Sequence, residues 1–336
     1  MIPEHVTIAH TPTPLEEANR LSEDLGVRIR IKRDDLTGSH LSGNKIRKLE
    51  FLFADALEQG ATSVLTCGGI QSNHCRATAM AASPLGLKPH LLLRTANGIL
   101  QDLPSPPTGN VLLDRLAGAE IRPCTPDAYR HSRGDILEAW ADELRSQGHT
   151  PYVVPEGGSN ALGSMGYVRA AHELADQFKG QDATSVVVPT GSGGTLAGIA
   201  IGLKAAGLKT KAWGIAVCDD ESYFRAIVDR ISKDAAKRFG TPNLEPDDYG
   251  VISGYQGRGY ALSTEEELTF LTETARRDGL VLDPVYTGKA FRGMVDLCRH
   301  QPALLGNDVT FIHTGGMFGL FAKAQELDLL WAQEGG

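Results

Sequence analysis

The sequence predicts an α/β fold built on mainly parallel sheets. Short β-branched runs are each followed by a glycine-rich turn and an amphipathic stretch, as in TSVLTCGG (62–69), SVVVPTGSGG (185–194) and DVTFIHTGG (308–316). Val186 to Val188 are apolar on both faces of their strand, which suits a parallel sheet covered by helices on each side. Elsewhere apolar residues recur at spacings of three and four, the period of a helix packed along one face.

In chain order, the first clear helix begins just after Lys45, where Ile46, Leu49, Phe53, Ala56 and Leu57 recur before Gly60 ends it. The run 62–69 reads as a strand, and a helix follows from about Ser72 to Ala82. A strand around 186–188 leads into a helix from Thr195 to Ala206, and another helix runs from Glu265 to Asp278 ahead of Gly279. Each is expected to open on a polar capping residue or a short acidic turn. Segments 98–110, with three prolines, and 238–250 read as surface excursions or lids rather than linkers.

With 41% apolar and 22% charged residues, the 336-residue chain is long enough for one large domain or two smaller ones. A net charge of −8 argues against a nucleic-acid partner, because phosphate neutralisation needs clustered Lys and Arg, so a small molecule is expected. Five cysteines, odd in number and without CxxC spacing, predict neither a disulfide framework nor a zinc site and suit a reducing compartment. No apolar run reaches the roughly 20 residues of a membrane helix, and the start lacks a signal-peptide pattern. A cytoplasmic protein without membrane contact is the expectation.

Five stretches carry possible chemistry. Gly191, Ser192, Gly193, Gly194 and Thr195 lie between a buried strand and a helix, where backbone N–H groups and the helix dipole favour a phosphate. A tight turn for strand–helix packing fits the same residues. In GNKIRK (43–48), Lys45 and Lys48 share one helix face about 4.5 Å apart along the axis, at the end where cations are electrostatically disfavoured. A solvated basic face is the bland alternative. A lysine whose ammonium form is destabilised is a better amine nucleophile. Ser72, Asn73 and His74 sit at a helix start whose free N–H groups suit a carboxylate, although Ser72 also fits a plain N-cap. Tyr286 and Thr287 introduce another helix and Thr314 lies in HTGG (313–316), where core or capping roles compete.

Loops at the carboxyl ends of parallel strands gather in one crevice. An amine, an anion cradle and a polar or aromatic frame are what pyridoxal phosphate needs. The Walker lysine is missing, Leu196 replaces the third glycine of a dinucleotide fingerprint, and neither HExxH nor GxSxG is present.

SGNKIRKLEFL, CGGIQSNHCRATA, VVPEGGSNALGSMGY, PTGSGGTLAG, LDPVYTGKA and IHTGG together resemble the D-cysteine desulfhydrase and 1-aminocyclopropane-1-carboxylate deaminase family, in family order across most of the chain. The resemblance implies a fold type II pyridoxal-phosphate enzyme with two open twisted sheets. Its large cofactor-binding domain would take residues 1–50 and 165–336, its small inserted domain residues 51–164, and the active site would lie between them.

The resemblance further makes Lys45 the covalent cofactor lysine and sets Lys48 beside the phosphate, with Gly191 to Thr195 completing the cradle. Asn73 would bond the ring hydroxyl, Tyr286 would lie on the ring face with catalytic Ser72 nearby, and Thr287 or Thr314 would meet the ring nitrogen. Ser72, Asn73 and His74 would receive the substrate carboxylate, with Tyr260 near the substrate. A homodimer is implied as well. Deaminases of the family carry glutamate after the stacking tyrosine, whereas this chain has Thr287, so the resemblance points to α,β-elimination from D-cysteine, giving sulfide, pyruvate and ammonia. Its rivals are a deaminase, an L-cysteate sulfo-lyase that releases sulfite, and a non-catalytic amino-acid-binding protein.

Overall fold

Val187 packs with Ile29, Ile215, Val309 and Phe311, while its neighbours Val186 and Val188 pack with Leu196, Ala212, Ala216 and Ile312 on the opposite face. The strand is therefore buried on both sides, as its unbroken apolar run predicts. These contacts come from a computed structural model that describes residues 2–334.

Among the described residues, ten strands form two sheets. The larger has the order β1-β2-β10-β7-β8-β9, from β1 (Leu15–Glu17), β2 (Arg28–Lys32), β10 (Asp308–Ile312), β7 (Ser185–Thr190), β8 (Lys211–Ala216) and β9 (Tyr249–Ile252). Only β1 runs antiparallel to its neighbour; every other pairing is parallel. The smaller sheet is wholly parallel, ordered β5-β4-β3-β6, from β5 (Glu120–Cys124), β4 (Lys88–Arg94), β3 (Ser63–Gly69) and β6 (Pro151–Val153). Leu65 and Leu92 face Trp140 on one side of it, while Leu91 and Leu93 face Cys75 and Ala79 on the other. Each such residue contributes roughly 1.5–3 kcal/mol by leaving water.

The predicted helices form at Lys45–Glu58, Asn73–Ala82, Gly194–Ala205 and Glu265–Asp278. Their starts differ in chemistry. Ser72 caps through its side chain, and Thr264 and Glu267 cap each other reciprocally. Asn44 and Gly193 make no side-chain cap, contrary to the expectation, which leaves Asn44 free for another task.

The Lys45–Glu58 helix is buried from Ile46 to Phe53, charges included. Space for it comes from Gly166, where a Cβ would stand 2.2 Å from the Arg47 carbonyl oxygen. Arg47 donates to Asp34 Oδ1 at 2.8 Å and to Glu173 Oε2 at 3.0 Å. Glu50 accepts from the amides of Ile8 and Ala9, both at 2.8 Å. Paired and hydrogen-bonded, these charges tolerate burial.

Segment 98–110 is less superficial than its prolines suggest. It ends at the buried Asn110, whose Nδ2 donates to the Gln71 carbonyl at 3.0 Å and to Asn73 Oδ1 at 2.9 Å. Segment 238–250 remains an irregular connection between the Glu221–Phe239 helix and β9.

Candidate active site

A cavity of about 840 Å³ opens where the carboxyl ends of β3, β4 and β7 meet the loop after β10. That volume suits a small ligand, and the location is the one parallel sheets favour. Of the predicted residues, Lys45, Ser72, Asn73, His74, Gly191, Ser192, Gly193, Thr195, Tyr260, Tyr286 and Thr314 line it. Lys48, Gly194 and Thr287 do not.

Lys45 opens its helix and projects into the cavity. Its Nζ donates to Asn44 Oδ1 at 3.0 Å and lies 5.7 Å from the centre of the Tyr286 ring. Burial lowers the ammonium pKa from 10.5 to about 8; the Asp283 carboxylate opposes the drop and Arg76 adds to it. The free-amine fraction near neutral pH is thus far larger than for an ordinary lysine.

Lys48 points instead into the protein, donating to the Gly157 carbonyl at 3.1 Å and Ser159 Oγ at 3.2 Å. Ser159 Oγ is in turn 2.8 Å from Ser192 Oγ. The lysine therefore reaches the glycine loop through one hydroxyl. Complete burial pushes its pKa well below the usual lysine range, with like charge on Lys45 adding to the effect.

The glycine loop is shaped by what surrounds it. A Cβ on Gly191 would come within 2.8 Å of the Tyr286 ring, and one on Gly194 within 2.9 Å of Ser159 Cα. Gly193 has φ +76°, which L side chains rarely adopt. Behind the loop, the first amides of the Gly194–Ala205 helix have no intrahelical acceptor, so the cradle offers donors and partial positive charge. Asn44 Nδ2 donates to Thr195 Oγ1 at 3.1 Å, so one side chain links this cradle to the Lys45 amine.

On the opposite wall, Ser72 Oγ accepts from the Cys75 amide at 3.1 Å and keeps its own proton to donate. The His74 ring is engaged inside the protein. Thr66 gives its hydroxyl proton to the Val154 carbonyl and so accepts from His74 Nε2, 2.8 Å away. Burial lowers the His74 pKa far below 6.5, against an opposing hydrogen bond to the Pro155 carbonyl, leaving a neutral ring. A neutral ring committed in this way cannot donate to a carboxylate; the helix-start amides of Asn73 and His74 can.

Tyr286 and Tyr260 share a 2.8 Å hydroxyl contact with their rings edge to face. Burial raises both phenols, Tyr260 to about 12, so neither is a phenolate at neutral pH. Thr287 is turned away from the cavity: its hydroxyl donates to Asp283 Oδ1 at 2.8 Å and accepts from the Asp283 amide at 2.7 Å. Asp283 also accepts from the Tyr286 amide at 3.0 Å, fixing the turn that presents the ring. Thr314, which faces the cavity, makes no side-chain hydrogen bond among the described residues.

A family profile described as pyridoxal-phosphate dependent enzyme matches residues 6–315. This chain belongs to that family. It is accordingly a pyridoxal-phosphate-dependent enzyme of fold type II. A bifunctional D-cysteine desulfhydrase/1-aminocyclopropane-1-carboxylate deaminase of Arabidopsis thaliana is 41% identical over 97% of this chain and 82% of its own length. A D-cysteine desulfhydrase of Yersinia enterocolitica is 43% identical, with 92% of this chain and 93% of the relative covered. Among solved structures, an ACC deaminase homologue superposes with a TM-score of 0.87 at 39% identity, covering 97% of this chain and 96% of the other. The L-serine ammonia-lyase of Rhizomucor miehei, 18% identical with a TM-score of 0.65 and covering 97% and 99%, shares the fold.

Four residues of this family member stand in or behind the cavity without having been singled out in the sequence. Asn44 had a signal: it occupies an N-cap position without capping. Asp283 precedes Tyr286 by three residues and anchors that turn. Arg94 and Glu156 carry no local signal, because only the pairing of β3 with β4 and the fold of the loop after β6 bring them here. Among the described residues, no cluster of three metal-ligating side chains occurs and no helix is long and apolar enough to cross a membrane.

Proposed function

We propose that this enzyme catalyses α,β-elimination from D-cysteine, releasing sulfide, pyruvate and ammonia. The atoms balance with one water: the α-proton is lost to a base, the Cβ–S pair leaves with sulfur, and the resulting enamine product hydrolyses. The residues fit the cofactor. Lys45 would hold it covalently, Gly191 to Thr195 its phosphate, Asn73 its ring hydroxyl, and Tyr286 one ring face. When bound, pyridoxal phosphate supplies a sink for the electron pair left at the substrate Cα.

The chain's own residues do the rest. Lys45 Nζ, its pKa lowered by burial, accepts the α-proton in its free-amine form, and Asn44 and the Tyr286 ring hold it in place. The amides of Asn73 and His74, with the Ser72 hydroxyl, bind the substrate carboxylate. Lys48 positions the phosphate loop through Ser159 rather than by direct contact. We further propose that residues 1–50 with 165–336 and residues 51–164 act as two domains whose facing strand ends form the cavity.

Relatives carrying both activity names support elimination and deamination alike. Position 287 favours elimination. Opening an unactivated cyclopropane needs a strong electron sink, hence a carboxylate at the ring nitrogen. Here the residue after Tyr286 is a threonine closed upon Asp283, and Thr314 offers only a neutral hydroxyl. The test is a side-by-side assay of D-cysteine, L-cysteine, L-cysteate and 1-aminocyclopropane-1-carboxylate, following sulfide, sulfite and keto acid. Sulfide and pyruvate from D-cysteine are expected. Turnover of another of these substrates without D-cysteine turnover overturns the reading, and binding without any turnover points to a sensor.

A further inference from the structure

Arg94 closes β4 in register with Gly69, the last residue of β3, and its side chain lines the cavity. Its guanidinium carbon lies 5.2 Å from the Tyr129 ring centre and 4.9 Å from that of Tyr260. Two rings thus hold a planar cation in place. Among the described residues, Arg94 makes no hydrogen bond or ion pair.

The Glu156 carboxylate does not neutralise it. Glu156, on the same cavity, accepts from the Tyr129 hydroxyl at 2.6 Å and pairs with Arg133 at 3.3 Å. Five N–H donors on a half-buried, fixed fork are left without an acceptor.

We propose that Arg94 is a specificity-determining residue that receives an anionic group at the substrate's β-position. This rests on the β-elimination reading. The spacing supports it: Arg94 Nη2 lies 3.7 Å from where a Cβ on Gly69 would stand, and the Gly69 carbonyl accepts from the Ser72 amide at 3.0 Å. The carboxylate seat and the guanidinium therefore flank one glycine, close enough for a single small amino acid to span them. A side chain at Gly69 would press on Tyr260 Cε1, 3.3 Å from that Cβ, and obstruct the passage.

The chemistry suits the placement. On elimination the α-proton goes to Lys45 Nζ and the Cβ–X pair departs on X, leaving as hydrosulfide from cysteine or sulfite from a sulfonate. Negative charge grows on X as the bond breaks, beside a cation that is already oriented. Substrates whose β-group is already anionic bind most strongly to this arrangement.

Binding and turnover of the cofactor-loaded enzyme separate the two ideas. Calorimetry compares 3-sulfopropanoate with propanoate, neither of which has an amine to react, on wild type, Arg94→Gln and Arg94→Lys. Wild type should bind the sulfonate more tightly, and Arg94→Gln should lose that affinity by roughly ten- to a hundredfold while propanoate changes less than about twofold. Arg94→Lys should retain part of the preference. Equal affinity of wild type for both ligands, or equal losses for both in Arg94→Gln, overturns the assignment. Separately, β-chloro-D-alanine and D-cysteine are tested for pyruvate release. Absence of any release defeats the elimination reading, whereas release accompanied by an unchanged sulfonate preference in Arg94→Gln defeats the role of Arg94 alone.

Discussion

Replacing Lys45 with methionine in the cofactor-free chain tests the electrostatics of the site. Burial brings the lysine pKa from 10.5 to about 8. Between those values the unfolded chain still binds the proton and the folded chain has released it, so wild-type stability rises with pH across that window. Below about pH 8 both states are protonated, and the folded state bears the full desolvation cost, about 3 kcal/mol at about 1.4 kcal/mol per tenfold change. Methionine removes the charge, so the variant should be more stable by about 3 kcal/mol at pH 7, and the charge-related gain should shrink below about 1 kcal/mol at pH 10. Any added apolar burial is independent of pH, and the tyrosines titrate in both chains. The readout is therefore the change of about 2.5 kcal/mol between the two pH values, from urea unfolding with matched slopes. A stability difference that stays flat from pH 7 to pH 10 would refute the claim that Lys45 is desolvated.

Three further outcomes follow from individual contacts. Gly191→Ala places a methyl 2.8 Å from the Tyr286 ring and should weaken cofactor affinity at least about tenfold in a fluorescence titration, while leaving the far-UV spectrum unchanged. Arg47→Met strands the buried Asp34 carboxylate and should cost about 3–5 kcal/mol in chemical denaturation; a loss under about 1 kcal/mol would contradict the network. Thr287→Val breaks two hydrogen bonds to Asp283 and should cost about 1–3 kcal/mol of stability, whereas Thr314→Val should spare stability and lower kcat.

Much of this architecture was legible because local chemistry and tertiary demand agree. The β7 run is apolar on both faces because both faces are covered, and the helices after β3 and β7 start where Ser72 and the glycine loop lie. Lys45, Ser72, Asn73 and Tyr286 could be named for a related reason: each sits at the start of a helix, and only Ser72 and Asn73 follow a strand directly. What stayed hidden depends on partners distant in sequence. Nothing near Lys48 foretells Gly157 and Ser159, more than a hundred residues on, as the acceptors of its amine. Thr287 reads as a ring-nitrogen ligand until Asp283 claims its hydroxyl. Arg94 ends an apolar strand and looks like a solvated terminus until Tyr129 and Tyr260 close over it.

The most direct test of the site is covalent. Borohydride reduction of the cofactor-loaded enzyme, followed by peptide mapping, should place the phosphopyridoxyl label on Lys45 alone, with no label and no yellow colour in Lys45→Ala. A label on Lys48 or Lys289 in the wild-type enzyme would contradict the account.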